Sequence, residues 1–90
     1  MPVEQAVPVR NPQVVHSRLA GGESVLLHLD TGAYHELNAV GTAIWDLLDG
    51  QRTTAQIADQ LRSMVEDPPA ELETDIAGFI AQMRERDLVA

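Results

Sequence analysis

The chain has 90 residues and a formal net charge of −8 at pH 7, from 14 acidic and six basic side chains, so its surface repels nucleic-acid phosphates and anionic membranes and attracts basic partners. It contains no cysteine, and all of its basic residues are arginine, which excludes disulfides, thiol catalysis, thiolate metal sites and lysine Schiff-base chemistry. A single domain of this size buries a modest core and has no room for an enclosed catalytic cleft beside it.

The beginning of the chain is rich in proline. Pro2, Pro8 and Pro12 each remove a backbone donor, so we expect residues 1–12 to form an extended, partly mobile arm before one domain at 13–90. The arm lacks the continuous apolar stretch of a signal peptide, and no apolar run approaches the ~18 residues of a membrane span. Together with the absence of cysteine, this indicates a cytoplasmic protein.

Three strands are predicted in the first half of the domain. A weak strand is expected over 13–20, followed by a turn at Gly21-Gly22. Stronger strands are expected over 24–29 and 33–37, with a tight turn between them.

That tight turn fits two registers. A two-residue turn at Thr31-Gly32 pairs Leu29 with Tyr34, whereas a bulged turn with Gly32 in the left-handed conformation pairs Leu29 with Ala33. We favour the bulged turn because it collects most of the apolar side chains on one face, with His35 as the polar exception. These side chains are Val25, Leu27, Leu29, Ala33 and Leu37.

Two helices are predicted next, each opened by a capping residue. Asn38 suits the N-cap of the first helix, which we expect to end at Gly50. Thr53 and Gln56 have the spacing of a capping box that opens the second. The buried stripes expected from helical spacing are Val40, Ile44, Leu47 and Leu48 in the first helix, and Ile57, Leu61, Met64 and Val65 in the second.

A third helix is predicted after Pro68 and Pro69, which suit a first helical turn capped by Asp67. Asp87 stands at its end, where a glycine is expected. Its apolar stripe is the clearest in the chain and consists of Leu72, Ile76, Phe79, Ile80 and Met83. A three-stranded antiparallel sheet followed by three helices predicts an α+β fold of the winged helix-turn-helix kind.

Catalytic and metal-binding patterns are weak. No serine lies in a Gly-x-Ser-x-Gly elbow, and no glycine-rich phosphate loop occurs. His28 and His35 face each other only under the two-residue turn, and histidines without cysteine are a weak zinc signal. Acidic pairs such as Glu71 and Asp75 are ordinary on a solvated helix start. We therefore expect no enzyme, no metal and no cofactor, and a small hydrolase is the weakest hypothesis.

A winged helix-turn-helix commonly binds DNA, and its third helix should then be basic. Here that helix begins with Glu71, Glu73 and Asp75, and Arg84 and Arg86 come only at its end. Each phosphate contact needs a basic side chain, so a DNA-binding regulator is the second hypothesis rather than the first.

Two stretches carry a resemblance to a known family. LDTGAYHELNAVGTAIWDLLDGQRTTAQIADQL, residues 29–61, resembles the core pattern of PqqD-like proteins: a hairpin ending in Leu-Asn, then Val-Gly, Ile-Trp, a glycine-containing turn and a threonine-led helix. ELETDIAGFIAQMRERDLV, residues 71–89, resembles their last helix. The likeness covers residues 13–90. Asp87 departs from the usual glycine of the family, although aspartate tolerates the left-handed conformation better than most residues.

The resemblance implies a RiPP recognition element, a non-catalytic domain that binds the leader of a ribosomally made precursor peptide and presents it to maturation enzymes. A domain with nothing fused to it resembles those of lasso-peptide pathways, where the partner is a leader peptidase of transglutaminase-like fold. The leader is expected to add as a strand to the third strand, beside the third helix. The peptide-binding residues implied are Ala33, Tyr34, His35, Glu36 and Leu37 on the strand, and Leu72, Asp75, Ile76, Phe79 and Met83 on the helix.

Charge adds an expectation about the leader. Glu71, Glu73 and Asp75 start the helix that should wall the groove, and Glu36 lies on the facing strand. They predict a leader with Lys or Arg near one end, beside apolar anchors that in lasso pathways include a Tyr-x-x-Pro pair. The alternatives are that the acids only cap and solubilise the helix, and that the apolar stripe only forms the core.

Overall fold

The computed structural model describes residues 7–65, 67 and 70–89 of the chain. Three strands form an antiparallel sheet in the order β1-β2-β3, so β3 is an edge strand. The elements are β1 (Val14–Arg18), β2 (Ser24–His28), β3 (Tyr34–Leu37), α1 (Ala39–Leu47), α2 (Thr54–Met64) and α3 (Leu72–Glu85), with a 3-10 turn (Ala20–Gly22) between β1 and β2. The α+β fold predicted from the sequence is confirmed. None of the helices described is long and apolar enough to cross a membrane.

The β2–β3 hairpin has a register that neither predicted turn gives. Leu26 pairs with His35, and the backbone N–H of His28 donates to the carbonyl of Ala33 at 3.0 Å. The connection is therefore a four-residue loop, 29–32. Both predicted registers were wrong, the bulged turn by one residue and the two-residue turn by two.

This shift exchanges the two faces of β2. Ser24, Leu26 and His28 are buried against the helices, whereas Val25 and Leu27 are half-buried on the opposite face. The predicted apolar face failed because both buried polar side chains have partners. The Ser24 hydroxyl hydrogen-bonds a threonine hydroxyl of α1 at 2.7 Å, and the His28 ring bonds an aspartate after α3 at 3.1 Å. A hydrogen-bonded polar group can occupy a core position at little cost.

Both predicted helix starts before residue 60 are confirmed. The Asn38 side chain accepts a hydrogen bond from a backbone N–H of the first turn of α1 at 2.8 Å. Thr53 and Gln56 make both bonds of the capping box, at 3.1 and 2.8 Å. α1 ends at Leu47, earlier than expected, and Gly50 lies in the following turn with a φ of 77°.

The predicted start of α3 was wrong. The helix begins at Leu72, and Glu71 at the N-cap position makes no side-chain capping bond. Asp67, the predicted cap, has a φ of 56° and so belongs to a turn ahead of the helix. Pro68 and Pro69 lie outside the described residues.

The core fills the space between the sheet and the helices. Trp45 of α1 lies inside it, with 1% of its surface exposed. Three residues of the predicted buried stripes instead lie at the surface: Val40, Met64 and Val65 are 51%, 57% and 37% exposed. The buried apolar residues are Leu26, Leu37, Ile44, Trp45, Leu47, Leu48, Ile57, Ala58, Leu61, Leu72, Ile76, Ile80, Met83, Leu88 and Val89.

The described part of the predicted arm packs against the end of the chain. Pro8 is fully buried, Arg10 pairs with Val89 in an isolated antiparallel bridge, and the Asn11 N–H donates to the Leu88 carbonyl at 3.0 Å. This part of the predicted arm is therefore in contact with the rest of the domain. The first six residues lie outside the described chain.

Candidate functional site

A groove with a volume of about 530 Å³ runs between β3 and α3 and over the start of α1. The end of α2 and the turn after it also contribute to its lining. Its lining residues are Glu36, Leu37, Asn38, Val40, Gly41, Ile44, Leu61, Val65, Asp67, Leu72, Asp75, Ile76, Phe79, Gln82, Met83 and Arg86.

The apolar lining has two layers. Ile76 and the other core members at the bottom of the groove are buried and hold the elements together. Above them, Phe79 is half-buried, and Val40 and Val65 are 51% and 37% exposed. These three side chains offer the apolar surface that an occupant of the groove can cover, so they are better candidate anchors than Ile76.

Gly41 of α1 makes room for the Phe79 ring. A Cβ atom at position 41 would lie 3.3 Å from the ring carbon Cε2 of Phe79 and 3.5 Å from Cβ of Leu37. Contacts of 3.3 Å are tighter than ordinary van der Waals packing, so the ring would have to move. The Val-Gly pair noted in the sequence thus sets the position of an aromatic side chain on another helix.

The open edge of β3 presents backbone groups beside the groove. The bond from His28 to Ala33 and the antiparallel alternation direct the N–H and C=O of His35 toward β2. The corresponding groups of Tyr34 and Glu36 therefore point away from the sheet. A strand added at this edge would pair with Tyr34 and Glu36 rather than with His35.

Charges are unevenly distributed around the groove. Its acidic lining residues are Glu36, Asp67 and Asp75, and its basic lining residue is Arg86. Asp67 and Asp75 lie near the start of α3, and Arg86 lies at its C-cap.

Two of the acids predicted to face the groove do not line it. Glu71 and Glu73 line a separate surface depression, together with Arg62 of α2. Glu73 is two residues from Asp75, and residues at this spacing do not face each other on a helix. The predicted acidic cluster therefore divides between two surfaces.

His35 is half-buried on β3, as expected for a residue at the sheet edge. Burial is the main cause that lowers its pKa below 6.5, and the nearby Arg86 and His28 lower the pKa further. The imidazole is therefore mostly neutral at pH 7. In the described ranges, no three or more His, Cys, Asp or Glu side chains are grouped to hold a metal ion.

Seven of the ten predicted site residues line the groove. They are Glu36, Leu37, Leu72, Asp75, Ile76, Phe79 and Met83. Ala33 precedes β3 and is exposed, Tyr34 is 72% exposed on the outer side of the sheet, and His35 lies beside the groove without lining it.

Sequence reasoning missed the contribution of α1 and of the turn after α2. Val40 and Val65 were assigned to core stripes because their spacing is helical, although each lies at the margin of its helix. Gly41 carried a signal in the Val-Gly pair, since a glycine inside a helix often marks a close contact. No local sequence pattern indicated that Asp67 or Arg86 lines the groove.

The sequence of residues 23–89 matches the profile of the family described as Coenzyme PQQ synthesis protein D (PqqD). The chain belongs to the PqqD family. This confirms the resemblance noted in the sequence. A search of curated protein sequences gave no significant match.

Two solved structures are similar to this PqqD-family chain. One is TbiB1 in complex with the TbiA(beta) leader peptide, with a TM-score of 0.79 and 31% identity over 90% of this chain and 93% of that chain. The other is lasso peptide synthetase B1 complexed with the leader peptide, with a TM-score of 0.80 and 26% identity over 94% and 99%. Neither comparison supports the DNA-binding hypothesis.

Proposed function

We propose that this PqqD-family protein binds the leader peptide of a ribosomally synthesised precursor in lasso peptide biosynthesis, through the domain at residues 13–90 and without catalysing a reaction itself. The observation that carries the proposal is the open edge of β3 next to an apolar groove. Both similar solved structures hold leader peptides, and one of them is lasso peptide synthetase B1.

The leader adds to β3 as a fourth strand. Its backbone exchanges hydrogen bonds with Tyr34 and Glu36, whose N–H and C=O groups point away from β2. Successive side chains of a strand point to opposite faces, so every second leader side chain enters the groove. There the apolar ones cover Phe79, Val40 and Val65.

In this arrangement the strand edge and the groove contribute to binding in different ways. The backbone bonds are sequence-independent and contribute about 0.5–1.5 kcal/mol each. The groove selects peptides whose apolar side chains have the spacing of its exposed surfaces, and such buried anchors carry most of the energy of an interface.

A binding titration tests the proposal. Two labelled peptides are used, the TbiA(beta) leader and the leader of the precursor encoded beside this protein, with a scrambled leader and duplex DNA as controls at one moderate salt concentration. We expect saturable binding of at least one leader and of neither control. Submicromolar binding of DNA without binding of either leader would overturn the proposal.

We further propose that the domain delivers the bound leader to a maturation enzyme, the leader peptidase implied by the family resemblance. The exposed apolar side chains on the outer face of the sheet favour contact with a protein partner. Val15, Leu29 and Tyr34 are 43%, 55% and 72% exposed there, and Leu27 is half-buried between them. Contiguous apolar surface of this kind marks interaction sites. The face continues into the β3 edge, so an enzyme bound to it would also contact the added strand.

A substitution of Val15 tests delivery separately from leader binding, because Val15 lies on β1, across the sheet from the β3 edge. We expect Val15→Glu to slow leader cleavage by the purified peptidase and to leave leader affinity unchanged. Ser17→Glu, which places the same charge on the same strand and face beyond the apolar cluster, is the matched control. Equal cleavage rates for wild type and Val15→Glu would contradict this role of the outer face.

A further inference from the structure

The two ends of the groove differ in charge. Asp67 and Asp75 lie at the end where α3 starts, Arg86 lies at the other end, and Glu36 lies on β3 between them. Asp75 and Arg86 are eleven residues apart on the helix, which corresponds to about 16 Å along its axis. A strand of five to six residues covers roughly this distance.

The orientation of β3 relates these ends to the strand edge. Arg86 lies close enough to His35 to contribute to the lowering of the pKa of that imidazole, so it is near the beginning of the short strand. Further along, Leu37 and Gly41 lie beside the space next to the Phe79 ring. Asp75 belongs to the helical turn before Phe79, so the acidic end lies beyond the end of β3.

Backbone pairing alone does not fix how a peptide lies in this groove. A sheet edge accepts strands in either direction, and a shift by two residues keeps the same side chains facing inward. The apolar surfaces select the spacing of apolar side chains, and a reversed strand can present the same spacing. Charges of opposite sign at the two ends distinguish the alternatives, because a reversed peptide brings like charges together.

We propose that the groove selects the direction and register of the leader by charge: it takes a Lys or Arg at the end formed by Asp67 and Asp75, and excludes a basic residue at the end formed by Arg86. This rests on the proposed function, since it presumes a peptide strand in the groove. The peptide it fits is basic at one end of a segment of about six residues and neutral or acidic at the other.

Glu73 provides the matched control on the same helix. It lies in the first turn of α3 with Asp75, so both carboxylates interact alike with the helix dipole. Glu73 lines the depression on the other side of the helix, whereas Asp75 lines the groove. Replacing either by lysine changes the net charge by the same amount, and only one change alters the groove.

The experiment is selection from a displayed library of random 12-residue peptides with the full-length wild type, Asp75→Lys, Glu73→Lys and Arg86→Glu. We expect the wild type and Glu73→Lys to enrich Lys or Arg on one fixed side of the apolar positions, about two- to fivefold over the library, as exposed ion pairs allow. Asp75→Lys should lose this enrichment, and Arg86→Glu should gain basic residues on the opposite side.

The outcomes separate the two proposals. Enriched peptides with apolar positions but no charge bias, or equal effects of Asp75→Lys and Glu73→Lys, would overturn the selection by charge while leaving leader binding intact. No enriched peptide with any variant, under conditions where all four are folded by circular dichroism, would overturn the proposed function and this inference with it.

Discussion

Phe79 and Ile76 lie three residues apart on α3, yet their surroundings differ. Ile76 is 0% exposed and belongs to the core, whereas Phe79 is half-buried and its ring lies against Gly41 at the side of the groove. A single apolar stripe thus contains a residue that stabilises the fold and a residue that is available to a ligand.

We expect Phe79→Ala to weaken leader binding by about 1–2 kcal/mol, roughly 5- to 30-fold in Kd, because it removes a half-buried aromatic anchor. Ile76→Val should lower the free energy of unfolding by about 0.5–1.5 kcal/mol and leave Kd unchanged. Titration calorimetry at a temperature where both variants are folded measures the first effect, and urea denaturation measures the second. If Phe79→Ala changes only stability, the ring is part of the core and not an anchor.

Asp87 combines a backbone and a side-chain role at the end of α3. Its φ is 59°, and its Oδ2 accepts a hydrogen bond from Nε2 of the buried His28 at 3.1 Å. Nδ1 of His28 accepts from the Asp30 N–H at 3.2 Å, so the Nε2 atom carries the proton of the neutral ring.

The stability of three Asp87 variants should therefore follow a fixed order. Asp87→Asn keeps an acceptor and tolerates the left-handed conformation, so it should be close to wild type. Asp87→Gly relieves the backbone but leaves a buried donor without its partner, at a cost of about 1–3 kcal/mol. Asp87→Ala loses both and should be least stable. Thermal denaturation ranks the variants, and a glycine variant more stable than wild type would contradict the role of the His28 bond.

At the level of elements, the β3 edge depends on alternation along four residues. Because the N–H of Glu36 points outward and that of His35 points toward β2, adjacent positions serve different partners. Proline scanning can therefore separate the two edges of one strand, since a proline is tolerated where its missing N–H faces solvent.

We expect Glu36→Pro to weaken leader binding by about 1 kcal/mol or more, because it removes one donor to the added strand. His35→Pro should instead damage the sheet itself, since its N–H is directed at Leu26. Glu36→Ala keeps the N–H and is the control for loss of the side chain. Equal affinities of Glu36→Pro and Glu36→Ala, with both folded by circular dichroism, would argue against strand addition at this edge.

The β2–β3 hairpin also shows which structural features local sequence patterns can predict. The strands, the capping box and the Asn38 cap were predictable because their signals lie within a few residues. The register was not, because Ser24 and His28 become acceptable core residues through partners 18 and 59 positions away. The groove was half predictable for a similar reason: its helix wall follows from one periodic stripe, whereas Val65 and Arg86 reach it only through packing of whole elements.

At the scale of the molecule, one sheet lies on one layer of helices, and the extents are 35 × 35 × 18 Å. In so thin a molecule His16 and His35 are only partly covered. Burial is the main cause that lowers the pKa of both His16 and His35 below 6.5. Nearby Asp46 opposes the shift at His16 without reversing it.

The free energy of unfolding should therefore decrease as the pH is lowered. Because both pKa values are lower in the folded chain, the histidines bind protons more readily when unfolded, and their contribution is complete above pH 6.5 and lost as pH falls through the folded values. We expect the Tm to be level from pH 8 to 7 and to fall toward pH 5. A His16→Gln, His35→Gln double variant should fall less steeply, and a decline as steep as that of wild type would rule these two residues out as the cause.

The chain has one tryptophan and one tyrosine, and they lie in opposite environments. Trp45 is enclosed in the core beneath the guanidinium of Arg10, 5.3 Å from the ring centroid, whereas Tyr34 is 72% exposed at the β3 edge. The protein thus contains two optical reporters, one for the integrity of the core and one for the β3 edge. Tryptophan emission follows unfolding and the detachment of the segment around Arg10. Tyrosine absorbance responds to pairing at β3 when the added peptide contains no tyrosine of its own. Occupancy of the β3 edge and integrity of the fold can be recorded in one unlabelled sample.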